Sequence, residues 1–314
     1  MTRARKELIN LDQTSCYHLI NRCVRKSFLT GFDAASGKDY SYRREWILQR
    51  IKYLTEAFAI DVAAYAIMSN HYHLVVKVDL HKANNWSIAE VVERWKRVCK
   101  TPGWVAGCKK EDLPDQQLKQ YIDTVKCWRQ RLSDISWFMK TLNEYISRRA
   151  NDEDKCRGHF WESRYKSQAL LDSTAILSCM MYVDLNPIRA GLAGSLEQSD
   201  FTSIKQRLLC RSMSRTGNIL FSSAPVLLSF QQLMGHLQFK EHEYIELLRT
   251  AAAAQGCTSE ESWSQCSWSY YGFAARPHWM HMINDFSRYF GAFAGKHARC
   301  YPKRCINQAE PLQI

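Results

Sequence analysis

Two histidines one residue apart, His71 and His73, stand at the head of the apolar run HYHLVVKVDL. On a β-strand, positions i and i+2 project from one face, so the two imidazoles would stand side by side. That arrangement suits two ligands on one divalent cation, and it equally suits two ordinary polar positions on a strand. Further along, Tyr182 and Asn186 are four residues apart and would share a helix face. A phenol has a pKa of about 10, so a tyrosine acting as a nucleophile needs a nearby cation or base. The Asn186 carboxamide, one turn away, could complete a metal site made otherwise of imidazole. By itself, a tyrosine on an amphipathic helix reads more simply as a core residue with its hydroxyl at the rim. The segment RGHFWESRYKS interleaves Arg157, Arg164 and Lys166 with Phe160, Trp161 and Tyr165. Cations for phosphates among aromatics for bases make up a single-strand groove, and buried aromatics beside solvated charges are the plainer alternative.

Periodicity supplies the elements that would position these groups. Residues 16–26 alternate as a strand, and Trp46, Ile47, Ile51, Leu54 and Phe58 fall at helical spacing over 44–58. IDVAAYAIMSN and HYHLVVKVDL, joined at Ser69-Asn70, predict neighbouring strands. Ser87, followed three residues later by Glu90, forms a capping box for a helix over 87–98. Residues 101–114 are irregular, and helical spacing returns at 115–131, 136–149 and 174–184. The last pattern stops at Asn186-Pro187, because proline lacks an N–H and disfavours helical geometry in the residue before it. After about residue 209 the composition changes. SMSRTGNILFSSAP reads as a linker, residues 226–254 could form two helices, and a soft boundary falls near 212. Strands and helices without a strict βαβ rhythm predict an α+β sandwich around an antiparallel sheet.

The chain has 314 residues, the size of one large or two ordinary domains. Lys and Arg number 43 against 31 acidic residues, a formal charge of +12 that favours a polyanionic partner. No apolar run approaches the roughly 20 residues that span a bilayer, and no secretory signal follows the basic N-terminus. Twelve scattered cysteines without a CxxC read as reduced thiols in a cytoplasmic protein. Cys300 and Cys305 with His297 could hold zinc or be free thiols. His278 and His281, among Trp263, Trp268 and Trp279, could hold a second metal or pack a small accessory unit. Lys296, Arg299, Lys303 and Arg304 close behind could grip duplex or hairpin DNA.

Three words in order, MSNHYHLVVKV, RGHFWESRYKS and MMYVDLNPIRAGL, with YHLINRC ahead of them, resemble the single-tyrosine HUH transposases. The chain is most similar to their REP-associated tyrosine transposase branch. The resemblance runs from about residue 14 to 209 and implies a transposase domain over 14–211. Its fold would be a ferredoxin-like sandwich whose antiparallel sheet carries the HUH motif. In this chain a helical insertion about 100–132 would be added, and 212–314 would be a mostly helical accessory region that matches nothing in the family. The resemblance implies nicking and rejoining of single-stranded DNA through a 5′-phosphotyrosine, with Tyr182 as nucleophile. His71, His73 and Asn186 would hold Mg²⁺ or Mn²⁺, and Arg157, Arg164, Lys166 and Arg189 would contact DNA. The expected partner is single-stranded or hairpin DNA from REP-like repeats, met as a monomer or homodimer in the bacterial cytoplasm, at the nucleoid. Tyr145 and Tyr165 are rival nucleophiles, His159 could bind DNA or a metal, and Glu162 and Asp184 are candidate proton-transfer partners. Three other readings remain: a replication initiator or relaxase, a metal-dependent hydrolase, and a catalytically silent repeat-binding or regulatory protein.

Overall fold

A computed structural model of the chain describes residues 8–24, 29–33, 37–106, 113–214, 224–234, 239–254, 283, 286 and 290–295. Strand β1 (Cys16–Arg22) is followed by a small hairpin of β2 (Phe32–Asp33) and β3 (Lys38–Asp39), then helix α1 (Arg43–Ala57). Strands β4 (Ile60–Ile67) and β5 (His71–Val78) follow, joined at Ser69-Asn70 as the sequence predicts. Helices α2 (Leu80–Asn85), α3 (Ile88–Val98), α4 (Gly103–Ala106), α5 (Asp115–Arg131) and α6 (Ile135–Glu153) lead to β6 (Lys166–Leu170). Then come α7 (Ser173–Asp184), α8 (Asn186–Arg189), α9 (Ser203–Ser214), α10 (Phe230–Met234), α11 (Glu241–Ala254) and β7 (Phe293–Ala294).

The main sheet runs β4-β5-β1-β6-β7, antiparallel except where β7 joins β6 in parallel. Strands β1, β4, β5 and β6 with crossover helices α1 and α6 therefore make the βαββαβ order of a ferredoxin-like sandwich. The chain has the expected α+β fold. Because strand side chains alternate, each face of the sheet has its own core. Tyr17, Leu19, Tyr72, Leu74 and Val76 pack beneath α1 and α6, with Phe58 set edge-on to Phe138. Cys16, Ala64, Ala66 and Val75 pack beneath α7 and α11 on the other face.

Local chemistry sets the helix ends. Ser87 and Glu90 make the expected capping box ahead of α3, and Asp134 and Asp172 accept N–H groups at the starts of α6 and α7. One detail departs from the sequence reading. Helix α7 ends at Asp184 as the sequence predicts, but Pro187 then sits in the first turn of a short further helix, α8, where its missing N–H has no intrahelical partner to lose. Helices α3 and α5 also contribute to the sheet's core. Trp95 of α3 and Trp128 of α5 stack in parallel at 5.4 Å beside α1 and α6. Phe230, Tyr244, Leu248 and Phe286, beyond residue 212, belong to the core under α7, whereas Ala224 joins the other core.

Asp184, the last residue of α7, is fully buried. It accepts hydrogen bonds from the Ser203 hydroxyl (2.5 Å), the Ile204 N–H (2.9 Å) and the Tyr244 hydroxyl (2.6 Å). Burial pushes its carboxyl up to about 6, against the pull of those donors and of Arg207. Its place is structural, tying the end of α7 to α9 and α11.

Candidate active site

Strand register brings the polar groups to one face of the sheet. His71, His73 and Val75 of β5 have Arg22, Ile20 and His18 of β1 directly across from them. On the other side of β1, Lys166 and Gln168 of β6 face Ile20 and His18. Residues directly opposite share a face, and Val75 places this one beneath α7. Across the remaining pairing, β4 sets Ala66 opposite His73. Along the free edge of β4, Ala66 bridges Thr202 of the segment entering α9.

The two expected metal-binding histidines stand together, with ring centroids 4.9 Å apart. His73 is 2% exposed, and its Nε2 lies 3.0 Å from Asn186 Nδ2. Its other nitrogen, Nδ1, lies 3.0 Å from Nε2 of the fully buried His18. His18 Nδ1 in turn lies 3.3 Å from Gln168 Oε1. His71 is half-buried, and its Nδ1 meets Asn70 Oδ1 at 2.5 Å. Burial pushes His71 down to about 4, with Arg22 adding to the shift, and pushes His18 to about 4 as well. His73 falls well below the ordinary range, first through burial and then through His71, His18 and two arginines. All three imidazoles are therefore neutral near pH 7.

Tyr182 stands in the last turn of α7, half-buried. Its ring is edge-on to His73 at 5.6 Å and to His18 at 5.9 Å. The guanidinium of Arg189 lies over the same ring, 4.0 Å from its centroid. Arg189 also donates Nη2–H to the Tyr182 carbonyl (2.6 Å) and Nη1–H to the Ile283 carbonyl (2.8 Å). Its described contacts are thus intramolecular ones that hold the tyrosine.

This donor set fits a divalent cation. Asn70 takes the proton of His71 Nδ1, leaving the lone pair on Nε2, an outer-shell arrangement common to metal-binding histidines. Turning the Asn186 carboxamide over would place its oxygen beside His73 Nε2. Among the described residues no cluster of three His, Cys, Asp or Glu side chains could hold a metal ion. The candidate set is instead two imidazoles and one amide.

The other expected residues divide. Arg157, Arg164 and Lys166 are exposed. Their loop is tied to the end of β1 by Val24 N–H to Phe160 O and Glu162 N–H to Arg22 O, both 2.9 Å. The aromatics of that loop are not a stacking platform. Phe160 is 2% exposed, Trp161 packs on Tyr72 and donates to the Asn143 carbonyl, and Tyr165 meets Ser136. Tyr165 lies in the α6-side core and Tyr145 on α6 itself, so both rivals stand across the sheet from the histidines. His159 and Glu162 are exposed. The candidate zinc and second metal residues and the C-terminal cations, from Trp263 to Cys305, lie outside the described residues. Sequence reasoning missed His18, Gln168 and Arg22. The alternation of β1 places His18 and Arg22 on one face, but only the β1–β5 pairing shows that it is the histidine face.

No family model matches the chain, and no curated protein matches it. Among solved structures, one described as a REP-associated tyrosine transposase bound to a REP hairpin is similar over 73% of this chain and all of its own. The identity is 10% and the TM-score 0.38, a likeness too distant to carry an argument.

Proposed function

We propose that this chain is a metal-dependent DNA transesterase that opens and rejoins single-stranded DNA through Tyr182. One juxtaposition carries the reading. Residues more than 100 positions apart in sequence converge so that Asn186 lies 3.0 Å from His73 Nε2 and Tyr182 packs against the same imidazole. The transposase-like words of the sequence support it independently, because the residues they mark as ligands and nucleophile are the ones that meet. They also supply the substrate class, hairpin-forming repeats of the REP kind in a bacterial cytoplasm.

Bound at His71, His73 and Asn186, Mg²⁺ or Mn²⁺ would polarise the scissile phosphate and stabilise its developing charge. The chain's own residues account for the rest. Tyr182 Oη attacks phosphorus, the P–O3′ bond breaks, and the departing 3′-oxygen takes up a proton as the phenol gives up its own. The product is a 5′-phosphotyrosine with a free 3′-hydroxyl. Attack by another 3′-hydroxyl reverses the step without ATP, since one phosphoester replaces another. Arg189 keeps the tyrosine ring in place. Lys166 and Arg22, beside Ile20 and His71, offer positive charge to the strand's phosphates. With one nucleophile per chain, two cleavages take two protomers or two successive rounds.

The test is a trapped adduct. Labelled single-stranded hairpins incubated with protein and Mg²⁺ or Mn²⁺ should give a slower band on a denaturing protein gel, and EDTA should abolish it. A band that persists in EDTA would remove the metal from the mechanism. Hairpin binding with no adduct under either ion would leave a DNA-binding protein without catalysis.

A further inference from the structure

Gln168 and His18 stand behind His73, outside the proposed ligand set. We propose that they are positioning residues that hold His73 in the tautomer with its proton on Nδ1 and its lone pair on Nε2. The consequence for metal binding rests on the function proposed above, whereas the tautomer follows from geometry alone.

The chain of donors starts at the C-terminal segment. Gln168 Nε2 lies 2.9 Å from the Phe290 carbonyl oxygen and 2.7 Å from that of Gly291. Carbonyl oxygens only accept, so the carboxamide must turn its NH₂ toward them, and this fixes its orientation. The atom left facing His18 Nδ1 is then an oxygen, which also only accepts. His18 therefore carries its single proton on Nδ1 and a lone pair on Nε2. That lone pair faces His73 Nδ1 at 3.0 Å, so His73 must donate from Nδ1. Its Nε2 is left as an acceptor, and the Asn186 NH₂ stands 3.0 Å away. Reversing the chain would aim the Gln168 oxygen at two carbonyl oxygens.

The direct readout is ¹⁵N NMR of histidine-labelled, metal-free, full-length protein. The expected spectrum shows His73 protonated at Nδ1 and bare at Nε2. In Gln168→Met the constraint is gone, so His73 should sample both tautomers and Mn²⁺ affinity should fall about 10- to 100-fold. His18→Leu, which removes the acceptor itself, should do the same. An Nε2–H tautomer in the unmodified protein would overturn the proposal. So would an unchanged His73 spectrum in a folded Gln168→Met variant. If the unmodified protein shows the expected tautomer yet binds no Mn²⁺, the metal reading fails while the positioning role stands.

A separate feature lies on the opposite face of the sheet. Helices α1 and α6 and the end of α3 line a groove of about 750 Å³ with five cations and two carboxylates. Among the described residues only Arg148 is ion-paired, with Glu144, and none provides a carboxylate partner for Arg50, Lys100, Lys140 or Arg149. Three of these cations rest on aromatic faces: Arg50 on Tyr145 (4.6 Å), Lys140 on Trp137 (4.7 Å) and Arg149 on Trp46 (3.9 Å). Faces already covered by cations are unavailable to stacking bases, whereas the cations themselves are held for phosphates. We infer that this groove binds the backbone of duplex DNA, away from the Tyr182 site.

The test uses a labelled duplex of about 20 base pairs and the matching single strand, in EDTA so that nothing is cut. Lys140→Gln with Arg149→Gln should weaken duplex binding at least about tenfold at low salt and lower the log–log salt slope by about 2. Lys96→Gln with Lys126→Gln, an equal loss of charge outside the groove, should change it less than about twofold. Equal losses in the two double variants would overturn the groove, as would an unchanged slope. An equal loss of single-strand binding would overturn the choice of duplex.

Discussion

Tyr182→Phe protein, given metal and a labelled hairpin, should form no covalent adduct while still binding the hairpin. The substitution removes only the phenolic oxygen. The ring remains to pack edge-on to His73 and His18, beneath Arg189 and against Phe286, so the fold and the binding surface are kept. Loss of a nucleophile that no neighbour can replace should cost at least about 10³-fold in adduct formation, or about 4 kcal/mol of barrier. Gel quantitation of adduct, with hairpin affinity measured alongside by anisotropy, separates chemistry from binding. An adduct that survives would send the search to a tyrosine across the sheet, and the proposed site would be wrong.

Asp184→Ala should be the most destabilising single change near the site. It strands three donors, the Ser203 hydroxyl, the Ile204 N–H and the Tyr244 hydroxyl, in a region without solvent. Each stranded group costs about 1–3 kcal/mol, and relief of a buried carboxylate offsets part of the total, giving about 3 kcal/mol net. Asp184→Asn should cost less than about 1 kcal/mol, because its oxygen still accepts from Ser203 and Ile204 and its NH₂ can donate to the Tyr244 oxygen. Urea unfolding of the two variants at pH 7 decides it. An alanine variant within 1 kcal/mol of the parent would mean that water takes the place of the carboxylate.

The local part of this architecture was legible because its signals are local. Residues 115–131 were predicted to be helical and match α5 to the residue, and Ser87 and Glu90 announce their capping box. The same-face placement of His71 and His73 needs only the two-residue period of a strand. The meeting of His73 with Asn186 was legible through resemblance alone, since no periodicity links strand β5 to the end of α7. Register is where composition goes silent. A one-residue slip of β1 against β5 would turn His18 to the opposite face, and nothing in CYHLINR forbids it. The aromatics of RGHFWESRYKS misled for a related reason. Their alternation with cations suits a groove, but Trp161 and Tyr165 find partners on α6, which lies outside their own segment. Pro187 could end one helix or begin another, and only the turn at Leu185 decides between them.

The two cores also divide the protein in time. Almost all of the core beneath α1 and α6 comes from residues 17–169, whereas the core around Tyr182 reaches from Cys16 to Ala294. At about 5–20 residues per second, translation passes from one limit to the other in on the order of ten seconds. During that interval the emerging chain can bury most of the first core, but it lacks Phe286 against the tyrosine and the carbonyls that orient Gln168. A chain cut short before residue 290 would therefore lack the contacts that complete the proposed site around Tyr182 and His73.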